Sequence, residues 1–297
     1  MSLREAPIGC VPIVWNNVDD PDLAPETPYR EILDTYVRLG FAGTQFGRGF
    51  PEGPELASEL GRRDLRFAEL YSALPAGADG LAPGADALAR RDLGRLVAAG
   101  GEVLVVALDG SPECDAVAGR APAQPRWPDR AFDGLVELLD ALATEVPEGV
   151  RIAFHPHTAT WIEAPSEVEA LAQRLRGSRA GLCLDVGHSL VGGADPVEAI
   201  HRYGRLVTHL HAKDVDGGVL ARLRAGGLDG FGAAVRERLF TELGNGILDL
   251  RGVVAALDAI DFGGWLMVEQ GSTWLAPAEA AAIGGRILRH AIREQAR

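Results

Sequence analysis

VRIAFHPH (150–157), AGLCLDVGH (180–188), RLVTHLHAKD (205–214) and GGWLMVEQ (263–270) decide the fold of this chain. Each is a short apolar run ending in groups that can bind a metal or move a proton. A β-strand covered on both faces is written as an unbroken apolar stretch. Polar groups gathered at the C-terminal ends of several such strands are how a (β/α)₈ barrel builds an active site. These four ends offer His155, His157, Asp185, His188, His211, Lys213, Asp214 and Glu269.

Working outward, strand and helix patterns alternate along the whole chain. Strands are expected at 7–14, 42–46, 65–71 and 102–108, with helices at 28–39, 54–62, 86–99 and 130–145. After the four quoted runs, helices are expected at 166–176, 196–203, 250–259 and 278–293. Ser166 with Glu169 three residues on reads as a capping box, and Asp195-Pro196 as an N-cap before a first-turn proline. Gly40 and Gly100 stand where left-handed helix ends are expected. Eight βα repeats without a linker-like break predict one α/β domain over residues 1–297, a closed (β/α)₈ barrel. A doubly wound open sheet would carry a Gly-rich phosphate loop after its first strand, and CVPIVWNNVDD (10–20) has no glycine. Residues 215–241 are too long for an ordinary connection. They contain helical patterns at 219–225 and 231–238, and an insertion after strand seven would lie over the barrel mouth, as a surface helix or a lid.

Composition narrows the partners. Of 297 residues, 47% are hydrophobic and 24% charged, and the formal net charge is −13. Such an acidic surface repels phosphate backbones and anionic lipid, which speaks against nucleic acid and membranes as partners. No apolar stretch approaches the roughly 20 residues needed to cross a bilayer. The N-terminus lacks a secretory h-region, and Cys10, Cys114 and Cys183 form no CxxC pair, so a reduced, cytoplasmic protein is expected. Cys183 reads as a small buried residue.

Asp185, His211 and Glu269 each end an apolar strand. Three such groups on one barrel mouth suit a divalent ion (Mn²⁺, Co²⁺, Zn²⁺ or Mg²⁺), whereas an ion-pair network, for instance Asp185 with Lys213, is the structural alternative. A fourth ligand should come from HPHTATWIEAP (155–165): Glu163 as ligand leaves His155 or His157 free as acid or base, and His155 itself stands at a ligand position. His188 could act as base, substrate donor or orienting partner. Lys213, two residues past His211, points to the same side and could donate a proton. Trp15, Asn16 and Asn17, with Asp19 and Asp20, suit polyol recognition after strand one. Gln45 and Arg48 end strand two, and Glu242 in FTELGNG (240–246) is a further candidate substrate contact.

Together, HPHTATWIE (155–163), GLCLDVGHSLVGGADPVEAI (181–200), HLHAKDVD (209–216), FTELGNG and WLMVEQ (265–270) resemble the xylose-isomerase-like sugar isomerase/epimerase superfamily, and within it the inosose dehydratase branch. WNNVDDPDL (15–23) and GTQFG (43–47) extend the likeness through most of the chain. The resemblance implies a TIM barrel, a divalent metal and a polyol-derived ketone or sugar as substrate, with Asp185, His211 and Glu269 at the metal positions and a homo-oligomer as in relatives. Many relatives end strand five with a glutamate where this chain has His155, which disturbs the two-glutamate pair of the epimerases. Gln45 replaces a glutamate common in the dehydratase branch. The expected activity is metal-assisted dehydration of a keto-polyol such as 2-keto-myo-inositol through an enolate, with His155, His157 or His188 as base and Lys213 or another histidine as acid. A sugar isomerase or epimerase and a non-catalytic sugar-binding barrel are the alternatives.

Overall fold

The computed structural model describes residues 3–18, 25–120, 122 and 124–295; the candidate residues Asp19 and Asp20 lie outside these. Eight parallel strands close into a barrel: β1 Ile8–Cys10, β2 Gly43–Gln45, β3 Arg66–Leu74, β4 Val103–Leu108, β5 Arg151–Phe154, β6 Gly181–Asp185, β7 Val207–Ala212 and β8 Leu266–Val268. Each strand pairs with its chain neighbours and β8 pairs with β1. The helices after them are α1 Tyr29–Leu39, α2 Gly53–Gly61, α3 Ala85–Ala98, α4 Asp129–Glu145, α5 Pro165–Arg174, α6 Pro196–Tyr203, α7 Leu250–Ala259 and α8 Pro277–Gln295. This is the TIM barrel expected from the four apolar runs.

The core has two shells, and β4 shows why its sequence is unbroken. Val103 and Val105 face the lumen with Val11, Ala68, Ala153, Cys183, Trp265 and Met267. The alternate residues Leu104, Val106 and Leu108 face the helices. Trp265 fills the lumen because β2 leaves it room: a Cβ on Gly43 would stand 2.7 Å from its ring. The Trp265 indole N–H donates to Glu102 Oε2 at 3.0 Å.

Strand ends differ from the sequence reading where a residue cannot continue a ladder. Proline supplies no N–H, so β1 stops at Cys10 and a 3₁₀ turn, Pro12–Val14, follows it. β5 stops at Phe154, ahead of Pro156. Asp185 ends β6 and at once caps the helix Val186–Gly192, its Oδ1 accepting the His188 N–H at 2.8 Å; His188 is therefore on a helical turn, not a strand. The capping box falls elsewhere. Pro165 starts α5, and Glu167 Oε2 accepts the backbone N–H groups of Glu163 and Ala164, both at 2.9 Å. Ser166 Oγ instead donates to Pro122 O. Asp195 does cap α6, and Gly40 ends α1 with φ +70°.

After β7 the chain forms a two-stranded ribbon, Asp214–Val215 against Phe240–Thr241, that encloses helices Gly217–Arg224 and Gly230–Arg236. Asp214 clamps its base: Oδ1 accepts from Val215 and Leu248 N–H, and Oδ2 from Gly244 and Gly246 N–H. Among the described residues no helix is long and apolar enough to cross a membrane.

Candidate active site

Three neighbouring strands set the centre of the site. Asp185 on β6 lies in register with His211 on β7. Glu269, one residue past β8, donates its N–H to Ala212 O. Asp185, His211 and Glu269 offer ligand atoms within 4.8 Å of one another. His211 Nδ1 stands 2.6 Å from Glu269 Oε2 and 3.9 Å from Asp185 Oδ2, and His155 Nε2 stands 3.8 Å from the same Asp185 oxygen.

The donor set fits a divalent cation. Asp185 Oδ2 and His211 Nδ1 are buried and point at a common centre, and their polar neighbours are the charged groups of the same cluster, Lys213 Nζ at 3.2 Å and Glu269 Oε2 at 2.6 Å. Two carboxylates buried this close to each other are costly unless positive charge offsets them. Two carboxylates and an imidazole are borderline-hard ligands suited to Zn²⁺, Mn²⁺ or Co²⁺.

Lys213 borders the same centre. Its Nζ lies 2.5 Å from Glu269 Oε1, 3.2 Å from Asp185 Oδ2 and 3.1 Å from His188 Nε2, over the Phe240 ring. Burial opposes its charge, yet Asp185 and Glu269 outweigh burial and hold its pKa above the ordinary value. Glu269 is held well below the usual carboxylate range, with Lys213 and His211 overcoming the burial penalty.

The histidines form the wall opposite. The rings of His157 and His188 lie with centroids 3.9 Å apart and planes inclined by 40°, and Phe231 meets the His157 ring edge-on at 5.7 Å. Burial depresses the His157 pKa to about 3, with His155 and Lys213 adding to the effect, so the ring is neutral. His157 Nδ1 donates to Thr158 O at 2.7 Å, leaving the Nε2 lone pair free. Lys213 Nζ lies 3.1 Å from His188 Nε2, and His188 Nδ1 lies 2.8 Å from Thr158 Oγ1 and accepts the Thr158 N–H at 3.3 Å.

These groups share a cavity of about 60 Å³ with Val11, Ile13, Gln45, Tyr71, Phe231, Val235 and Phe240. Tyr71, His157, Phe231 and Val235 also line an outer cleft of about 520 Å³ that runs over the end of β4. Phe231 and Val235 of the segment after β7 thus line both spaces, and Asp115 Oδ1 holds that segment's second helix by accepting the Phe231 N–H at 2.7 Å.

The structure brings His155, His157, His188, Lys213, Asp185, His211, Glu269 and Gln45 together, and leaves other candidates apart. Both Glu163 carboxylate oxygens accept backbone N–H groups, from Gly119 and Ala159 at 2.7 Å each, so Glu163 does not join the ligand cluster. Burial lifts its pKa to about 7 in spite of those donors. Trp15 is buried edge-on against Tyr36. The Asn16 amide braces loops, with Nδ2 donating to Thr27 O and Arg48 O and Oδ1 accepting the Thr27 N–H. Glu242 accepts from Gln270 Nε2 and Thr273 Oγ1. Sequence reading missed Glu69, whose Oε2 contacts Nε2 of both His209 and His211. It is the only acidic residue inside the run RFAELYSAL, and that isolation was its signal.

A closed barrel with convergent charged groups at the C-terminal strand ends defines an enzyme of the (β/α)₈ class. The chain belongs to the Xylose isomerase-like TIM barrel family, which residues 38–290 match. It is 34% identical to the rhizopine catabolism protein MocC of Rhizobium meliloti, over 90% of this chain and 82% of that one. It is 31% identical to inosose dehydratase of Geobacillus kaustophilus (strain HTA426), over 88% and 86%. Among solved structures, L-ribulose 3-epimerase superposes with a TM-score of 0.71 at 16% identity, covering 98% of this chain and 96% of that one. The IolI protein with a bound zinc atom superposes with a TM-score of 0.70 at 14% identity, covering 97% and 99%.

Proposed function

We propose that the chain is a metal-dependent lyase that removes water from a keto-polyol such as 2-keto-myo-inositol. The observation that carries this reading is the convergence of Asp185, His211 and Glu269 beside the Lys213 ammonium and a neutral histidine with a free ring nitrogen. The similarity to inosose dehydratase supports the substrate class.

Asp185, His211 and Glu269 would hold the ion, with His155 Nε2 nearest as a fourth donor. A divalent ion bound there supplies Lewis-acid polarisation of the substrate carbonyl. His157 Nε2 takes the proton from the carbon next to that carbonyl, and the C–H electron pair becomes the enolate. As the enolate collapses, the C–O bond to the β-hydroxyl breaks, and a proton from Lys213 leaves with that oxygen as water. Phe231, Val235 and Phe240 exclude solvent, which keeps the enolate from random protonation. The chain's acidic surface and the absence of basic residues from the cavity lining, Lys213 and the histidines apart, fit a neutral polyol.

An epimerase would use the same enolate but return the proton to carbon, and the fold of L-ribulose 3-epimerase keeps that reading in view. Incubating the metal-loaded protein with 2-keto-myo-inositol in deuterated water separates the readings. Loss of one water by mass spectrometry supports the lyase. Deuterium uptake without water loss replaces it with the epimerase. Unchanged substrate bound equally well before and after chelation leaves only a sugar-binding barrel.

A further inference from the structure

Beneath the cation-ready cluster, inside the lumen, lies a charged group that the proposed reaction does not use. Glu69 is fully buried. Its strand stands diametrically across the barrel from β7, four places away in the strand order. Pairing of β2 with β3 slips by one residue between Thr44 and Gln45: Thr44 pairs with Phe67, Ala68 is passed over, and Gln45 pairs with Glu69. Such a bulge re-aims a side chain, and the Glu69 carboxylate extends across the lumen to β7.

Only one oxygen is engaged there. Oε2 accepts from His211 Nε2 at 2.9 Å and makes a shorter contact with His209 Nε2, whereas Oε1 has no partner. A carboxylate present merely to be satisfied would use both oxygens, and an apolar side chain would fill the space at less cost. A neutral imidazole that donates from Nε2 must present a lone pair at Nδ1. Nδ1 is the His211 atom that faces Asp185 and Glu269.

We propose that Glu69 is a positioning residue for the cation: it fixes the tautomer and ring orientation of His211, so that Nδ1 is the ligand atom, and thereby sets the affinity of the site. The proposal rests on the reading that Asp185, His211 and Glu269 hold a divalent ion. His209 competes for the same Glu69 oxygen and buttresses the pair.

Glu69, His209 and His211 also lie close enough to be a ligand set themselves, and the test includes that outcome. Zn²⁺ binding to the full chain is measured by competition with a chromophoric chelator, for the wild type, Glu69→Gln and His209→Gln. The wild type should bind one ion per chain. Glu69→Gln should bind it about 10- to 100-fold more weakly, as expected when the orienting partner of a ligand histidine is lost. His209→Gln, which frees the shared oxygen for His211, should keep wild-type affinity or tighten it while lowering thermal stability. Side-chain ¹⁵N spectra of the zinc-loaded wild type, which need no variant to fold, should show His211 protonated at Nε2 and metal-bound at Nδ1. Equal affinity in Glu69→Gln, an equal loss in His209→Gln, two ions per chain or the opposite tautomer would each overturn the proposal. A wild type that binds no ion would instead overturn the metal reading beneath it.

Discussion

The two halves of the barrel bury polar groups for different ends. In the β5–β8 half, His155, Asp185, His211, Lys213 and Glu269 turn toward one another, and Asp185 Oδ2, His211 Nδ1 and the Glu269 carboxylate crowd one centre. In the β1–β4 half, the polar groups are mostly consumed as braces: Asn16 ties two loops, and Ser72 Oγ donates to Asp92. The difference teaches that burial of a polar residue is not itself a mark of chemistry. What marks it is the convergence of several buried charged groups on a shared point. Glu69 is the exception that links the halves, reaching from the bracing side into the reactive one.

Substitutions can break this contrast. The largest effect is expected from Asp185→Asn, which should abolish stoichiometric metal binding and lower kcat/KM about 10⁴-fold, or ~5 kcal/mol of transition-state stabilisation. Elemental analysis beside kinetics would show it, and retained metal with full activity would undo the assignment. Trp265→Ala should act on the other axis. Emptying the lumen should cost about 3–5 kcal/mol of stability in denaturant titration, with kcat per folded molecule changed less than about threefold.

Glu163 sharpens the contrast because it is buried, satisfied and off the cluster. Its pKa is raised from an ordinary 4.5 to about 7. A raised carboxyl pKa favours the folded state while the group is protonated. That contribution is complete below about pH 4.5 and lost as pH rises through 7, a change of up to about 3 kcal/mol. The wild type should therefore lose stability between pH 5 and 8 more steeply than Glu163→Gln, as read from chemical denaturation at each pH. Parallel slopes would remove Glu163 as the cause. The smallest effect is expected from Lys213→Met, which should slow kcat about 100-fold as a lost proton donor. Because Lys213 lies against the two carboxylates proposed to hold the ion, its removal should leave metal affinity equal or tighter. A weaker metal site in this variant would make the lysine structural.

The barrel and the convergence of Asp185, His211 and Glu269 at one place were legible because apolar runs of strand length end at those three residues. Alternation does the same work locally: His211 and Lys213, two apart, must share a side. What the sequence withheld was the use of each side chain. Glu163, Trp15, Asn16 and Glu242 have suitable chemistry at suitable positions, yet backbone N–H groups, an aromatic neighbour or adjacent amides already claim them. Several of those partners, Gly119 for Glu163, Tyr36 for Trp15 and Gln270 for Glu242, come from distant segments that spacing cannot pair. Pro165 likewise moved the start of α5 ahead of the Ser166–Glu169 pattern, because a proline at the first turn fixes the helix entry.

The four-way grip of the Asp214 carboxylate has a practical consequence. The chain enters and leaves the covering segment at one rigid knot, so the stretch from 217 to 239 is hung from the barrel like a hatch on a fixed frame. Exchanging that hatch for a relative's should change which guests are admitted while leaving the spacing of the groups beneath it intact.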